Sequence, residues 1–197
     1  TIGTIGCTSF FPSKNLGCMG DGGALFTNDD TLAKKIRMIA NHGQSVQYVH
    51  DEIGVNSRLD SIQAAILRVK LKHLDSYAAA RQKAAAYYDK AFNGNSKITT
   101  PERSKNSTHV FHQYTLVLNG VNRDELRQYL AEKEIPAMIY YPIPLHMQKA
   151  YKDERYKEGQ FPVTEKLCAN VLSLPMHTEL DEEQLEYITR AVLEFCK

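Results

Sequence analysis

The stretch SFFPSKNLGCMGDGG, residues 9–23, decides how the rest of the chain reads. An apolar run stops at Pro12, one lysine follows at Lys14, and four glycines crowd behind it at Gly17, Gly20, Gly22 and Gly23. Glycine loses more backbone freedom on folding than any other residue, so the cluster is costly unless the chain must turn tightly or approach something closely. Residues 4–11 have the β-branched and aromatic content of a strand, and GALFTN, residues 23–28, is a second short apolar run. The pattern predicts a hairpin whose glycine-rich loop carries Lys14.

Downstream, Asp29, Asp30 and Thr31 offer N-caps for a helix over 31–41, with Leu32, Ile36 and Ile39 on one face and Lys34 and Lys35 on another. Residues 41–58 have no clean period and read as a long loop, a kind of segment that often carries function. Asp60 and Gln63 have the spacing of a capping box, and Ile62, Ile66, Val69, Leu74 and Tyr77 then predict one long helix ending near Phe92. Asn93-Gly94-Asn95 stops it, the glycine suiting a left-handed cap. A polar linker over 101–108 leads to a strand over 110–118 and a helix over 123–134 opened by Asn122. AMIYYPIPL, residues 137–145, reads as a short strand broken by two prolines. Ser173-Leu174-Pro175 precedes an irregular stretch, and a last helix runs from near Asp181 to Phe195. The sum is α/β or α+β, divided into residues 1–94 and a smaller βαβ-plus-helix unit over 95–197.

Of the 197 residues, 43% are hydrophobic and 24% charged, and the net charge is +1, the balance of an ordered globular chain. No long basic block offers a surface to nucleic acid or to an anionic membrane. No apolar run reaches the roughly 20 residues of a membrane span. Cys7, Cys18, Cys168 and Cys196 lie without CxxC or Cys/His pairing, which fits reduced cytoplasmic thiols better than a disulfide frame or a zinc site. The chain opens without Met inside an apolar, glycine-punctuated segment, TIGTIGCTSFF, and is expected to be part of a longer protein.

A lysine after a strand and beside a glycine-rich turn can have its ammonium desolvated, and its amine can then condense with an aldehyde. Ser9, five residues upstream, offers a hydroxyl to a phosphate oxygen, and the amides of the loop can add further donors. Together these suit a pyridoxal phosphate site. The same residues also fit a surface lysine on a tight turn, and composition leaves both readings open.

SFFPSKNLGCMGDGGALFTND, followed by NHGQ and then GVNSRLDSIQAAIL, resembles the sugar aminotransferases of the DegT/DnrJ/StrS type, in the fold-type I group of pyridoxal phosphate enzymes. YYPIPLHMQKAY, FPVTEKLCANVLSLPMH and LDEEQLEYI resemble the small domain of the same family. The resemblance covers essentially the whole chain. It implies the C-terminal half of such an enzyme: the end of the α/β cofactor-binding large domain with its connecting helix over 1–94, and an α+β small domain over 95–197.

By this resemblance Lys14 is the residue that bonds covalently to pyridoxal phosphate and then serves as acid and base, and Ser9 is a phosphate contact. Asn56 resembles the asparagine that reaches the cofactor phosphate of the neighbouring subunit, which implies a homodimer with a shared site; otherwise it is an ordinary helix-entry asparagine. Arg58 resembles the arginine that meets a sugar carboxylate, and it could also serve the carboxylate of L-glutamate, the expected amino donor. Its plain alternative is an ion pair with Asp60 or Glu52. Tyr140 and Tyr141 resemble residues lining a nucleotide-sugar pocket, against simple packing at a strand end. His42 and His146 lie near the site by the same resemblance, with no role assigned. The acidic partner and stacking aromatic for the cofactor ring are expected upstream of residue 1.

The implied activity is transamination of a keto nucleotide-sugar in cell-surface polysaccharide or amino-sugar biosynthesis. The motifs look closest to enzymes aminating UDP-2-acetamido-2-deoxy-3-oxo-glucuronate. The alternatives are a C4-aminating relative and a non-catalytic regulatory or structural relative. The family's dehydrating branch replaces the lysine by histidine, and Lys14 argues against it.

Overall fold

The computed structural model describes residues 2–197. They form two compact units that part between Asp75 and Ser76.

In the first unit, β1 (Gly6–Ser9) and β2 (Gly23–Phe26) pair antiparallel, with Ser9 opposite Gly23. This is the expected hairpin, with shorter strands. α1 (Asp30–Ala40) follows, capped by the Asp29 carboxylate, which accepts from the amides of Thr31 and Leu32. The segment after it is not a structureless loop: β3 (Gln44–Val46) and β4 (Val49–His50) pair antiparallel within it. Its base closes backbone against backbone. Gly43 has φ +76°, and a Cβ there would stand 1.8 Å from the Glu52 carbonyl oxygen; one at Gly54 would stand 2.2 Å from the Gly43 nitrogen. Only glycine tolerates either approach.

The expected single helix is two. α2 (Ser61–Lys70) ends in a 3₁₀ turn over Leu71–His73, and α3 (Leu74–Phe92) continues beyond it. The units part inside α3 and not at its end near 94, because Ala84, Ala85, Tyr88 and Phe92 are built into the core of the second unit.

That second unit holds a three-stranded sheet in the order β5 (Ile98–Thr99), β6 (Tyr114–Leu118), β7 (Val171–Leu174). All its pairings are antiparallel, so the expected βαβ unit is corrected: helices intervene in sequence, but β6 and β7 run in opposite directions. β6 starts later than expected, because Phe111 has φ +45° and leaves extended geometry. Residues 137–145 do not form the expected strand. Met138 makes one bridge to Ser173, after which Pro142 and Pro144 lack the N–H a ladder needs. Around the sheet lie α4 (Arg123–Glu132), capped by Asn122, α5 (Pro162–Asn170), and α6 (Glu182–Phe195), opened by a capping box between Asp181 and Gln184. Leu116, Leu118, Leu126, Leu130, Leu172 and Val192 fill the core. Arg81 is buried at its edge and donates to the carbonyls of Phe111, His112 and Met176 at 3.1, 3.2 and 2.9 Å; burial lowers its pKa.

Candidate active site

The loop between β1 and β2 is closed by its own backbone. Phe10 N–H donates to Gly22 at 2.8 Å, Cys18 N–H to Phe10 at 2.8 Å, and Lys14 N–H to Phe11 at 2.9 Å. The buried Cys18 thiol lies 2.9 Å from both the Phe10 and Gly20 carbonyl oxygens and ties the loop across its middle. Gly17 is obligatory here, since a Cβ would come within 2.4 Å of the Pro12 carbonyl oxygen. The result is a compact turn with Lys14 at its bend.

Lys14 is half-buried, and among the described residues its ammonium has no hydrogen-bond or ion-pair partner. Ser9 is exposed at the end of β1. Its Oγ accepts from the Phe11 amide at 3.2 Å, which leaves its own hydrogen to donate. A primary amine on the loop, with no counter-ion among the described residues, and a hydroxyl donor at the end of β1 fit a group that carries an aldehyde and a phosphate. Both belong to the pyridoxal phosphate set expected from the sequence.

Asn56 and Arg58 sit on the segment leading into α2. The backbone there is fixed against the end of α1: Val55 N–H donates to Ile39 at 2.8 Å and Ser57 N–H to Ala40 at 2.9 Å. The two side chains meet, with Arg58 Nε donating to Asn56 Oδ1 at 3.2 Å. Glu52 pairs instead with Lys35 at 2.8 Å. Both Asn56 and Arg58 are exposed, and the Asn56 backbone bridges to Asn41. His42 is exposed, with φ +60°, and its backbone does the bonding: its N–H donates to Val55 at 2.9 Å, and its carbonyl lies 2.8 Å from His50 Nδ1.

Tyr140 and Tyr141 belong to the second unit. Their ring centroids are 5.6 Å apart and nearly edge to face; Tyr140 is half-buried, Tyr141 is 71% exposed. In the same unit His146 Nε2 lies 3.1 Å from Glu165 Oε1, and its ring packs on Phe161 at 4.8 Å. Sequence reasoning missed three groups that organise these regions: Cys18, Gln63 and Glu165. Cys18 carried a signal, being the one thiol inside a glycine cluster.

A sequence profile of the DegT/DnrJ/EryC1/StrS aminotransferase family matches residues 1–193. The chain belongs to this family. DegT/DnrJ/EryC1/StrS aminotransferases depend on pyridoxal phosphate. A pleiotropic regulatory protein of Geobacillus stearothermophilus is 47% identical over 198 residues, covering 100% of this chain and 53% of that protein. The UDP-2-acetamido-2-deoxy-3-oxo-D-glucuronate aminotransferase of Pseudomonas aeruginosa is 47% identical over 191 residues, covering 97% of this chain and 52% of the enzyme. The crystal structure of Streptomyces venezuelae DesV in complex with a ketimine intermediate matches with a TM-score of 0.93 at 40% identity, over 99% of this chain and 52% of DesV. The chain thus spans about half the length of the curated relatives it matches.

Proposed function

We propose that this chain is the lysine-bearing part of a pyridoxal-phosphate-dependent nucleotide-sugar aminotransferase, with Lys14 as the residue that bonds the cofactor. The observation that carries the reading is the Lys14 amine, held at the bend of a glycine-closed loop without a counter-ion among the described residues. Bound pyridoxal phosphate supplies an aldehyde for an amine and an electron sink for the carbon that loses its proton. Lys14 Nζ would hold the group through that aldehyde carbon, the carbonyl oxygen leaving as water, and as a free amine it would hold and move the proton. Ser9 Oγ donates to the phosphate. Asn56 serves the phosphate of the neighbouring subunit's cofactor in a homodimer. Arg58, anchored through Nε on Asn56, keeps its terminal nitrogens for a carboxylate. Tyr140 and Tyr141 line the sugar-nucleotide pocket.

We infer UDP-2-acetamido-2-deoxy-3-oxo-glucuronate as the acceptor and L-glutamate as the donor, in polysaccharide or amino-sugar biosynthesis in the cytoplasm. The likeness to the Pseudomonas aeruginosa enzyme supports this acceptor. A regulatory role is a second reading, favoured by the equal identity to the Geobacillus stearothermophilus protein.

Borohydride reduction of the full-length protein loaded with cofactor, followed by peptide mass mapping, tests the assignment. A pyridoxyl adduct on Lys14 is expected, and an adduct on another lysine overturns it. Assays with UDP- and dTDP-linked 3-oxo and 4-oxo sugars then separate the acceptors, and turnover of none of them favours the regulatory reading.

A further inference from the structure

Gln63 breaks a local rule. The spacing Asp60-x-x-Gln63 is that of a capping box, yet Asp60 makes no side-chain cap bond at the start of α2. The same spacing at Asp181 and Gln184 closes a complete capping box on α6. At α2 the Gln63 carboxamide is turned away: its Oε1 accepts from the Met19 amide, 44 residues upstream, at 2.9 Å. Its Nε2 lies against Gly20, where a Cβ would stand 3.1 Å away. The side chain therefore reaches into the outer limb of the Lys14 loop.

The bond to Met19 replaces a cap bond of comparable strength. It is an exposed bond. A residue that leaves a local rule with no gain in stability marks a place where geometry is being served. The geometry in question is specific. Gly22 packs on the same segment, with a Cβ there standing 3.0 Å from Leu59 Cδ1. The loop is thus held at two points, Gly22 on Leu59 and Met19 on Gln63, by residues one and five positions after Arg58.

We propose that Gln63 is a positioning residue that fixes the Lys14 loop in register with the Asn56–Arg58 segment. This rests on the reading of Lys14 as the cofactor lysine. Met19 lies five residues from Lys14, on the far side of the Cys18 tie, so a shift at Met19 passes through Cys18 to the bend. Misplacing a reacting group by about 1 Å can cost roughly a hundredfold in rate.

The test uses the full-length protein and three substitutions. Gln63→Met keeps the length and removes the acceptor; Gln63→Asn keeps the amide and shortens the reach; Gln63→Glu keeps both reach and acceptor. Two readouts are taken: hydrogen exchange of the Met19 amide without cofactor, and kcat and KM of the loaded enzyme. Gln63→Met is expected to speed Met19 exchange about tenfold. It should also lower kcat roughly tenfold to a hundredfold with KM for the acceptor sugar little changed. Gln63→Glu should restore both. Should Gln63→Met fail to fold, Gln63→Asn gives the same reading. Wild-type exchange and kcat in both Gln63→Met and Gln63→Asn, or a Gln63→Glu as impaired as Gln63→Met, overturns the proposal. A borohydride adduct away from Lys14 defeats the functional reading alone, because the exchange of Met19 still reports the tether.

Discussion

Glu165 holds His146: its Oε1 stands 3.1 Å from His146 Nε2 while the same carboxylate accepts the amides of Gly159 at 2.9 Å and Phe161 at 3.3 Å. Burial pushes the carboxyl up, but the two amides and the imidazole outweigh it and hold Glu165 below its ordinary value. A carboxyl lowered on folding stabilises the fold above its unfolded pKa, and that contribution is lost as pH falls through the lowered folded value. Gln at 165 carries no such dependence. Thermal unfolding should place Glu165→Gln below the wild type at neutral pH, with the gap closing in acid. A gap that stays constant down to about pH 3 would count against the network.

Lys14 gives the sharpest prediction for activity. Lys14→Arg keeps the charge and removes the amine that bonds an aldehyde. A lost acid–base group alone costs about 10²–10⁴-fold. Steady-state assays of the full-length enzyme should show at least this loss, together with loss of the cofactor's visible band.

Two glycines in the left-handed region should respond differently to the same change. At Gly94, φ +80° with open space around the missing Cβ, alanine should cost only the left-handed strain, about 1–2 kcal/mol. At Gly43, φ +76°, the new Cβ meets the Glu52 carbonyl oxygen at 1.8 Å, and the backbone must move. The same left-handed strain then applies, with the cost of the backbone rearrangement added. Urea unfolding of Gly43→Ala and Gly94→Ala measures the difference, and equal midpoints would refute it.

Arg81 carries the second unit's most demanding polar contacts. Arg81→Met leaves the carbonyls of Phe111, His112 and Met176 short of a donor. Each buried acceptor left dry costs about 1–3 kcal/mol. Denaturant unfolding should show a loss of at least that size, and a variant as stable as the wild type would show that water replaces the guanidinium.

Much of the fold was legible where one residue decides one local event. Asp29, Asn122 and Asp181 cap the helices they precede, and Gly94 ends α3 with positive φ. What the sequence hid depended on partners far along the chain. Gln63 looks like Gln184 until Met19 takes its oxygen. β7 is buried at all four positions, VLSL, and such a run has no period by which to tell strand from buried helix. α5 starts at Pro162 with no side-chain cap and buries none of its residues, so no apolar stripe announced it. Pairing direction left no mark either, and the sheet is antiparallel where a crossover was expected.

The site divides in the same way. Lys14 and its glycines were readable because a tight turn needs those residue types and few others. Asn56 and Arg58 were readable only as types. Their contact arises because residues 55–57 bond to the end of α1 and hold the two side chains on one stretch of backbone.

β1 and β2 bond only to each other among the described residues, so the ribbon that lifts Lys14 has two outer edges. Neither GCTS nor GALF contains the lysine or proline that blunts an edge, and Leu25 and Phe26 are 54% and 52% exposed. A neighbouring strand can therefore add on either side without breaking any existing bond. A strand bonded there would add its hydrogen bonds at the base of the lysine loop.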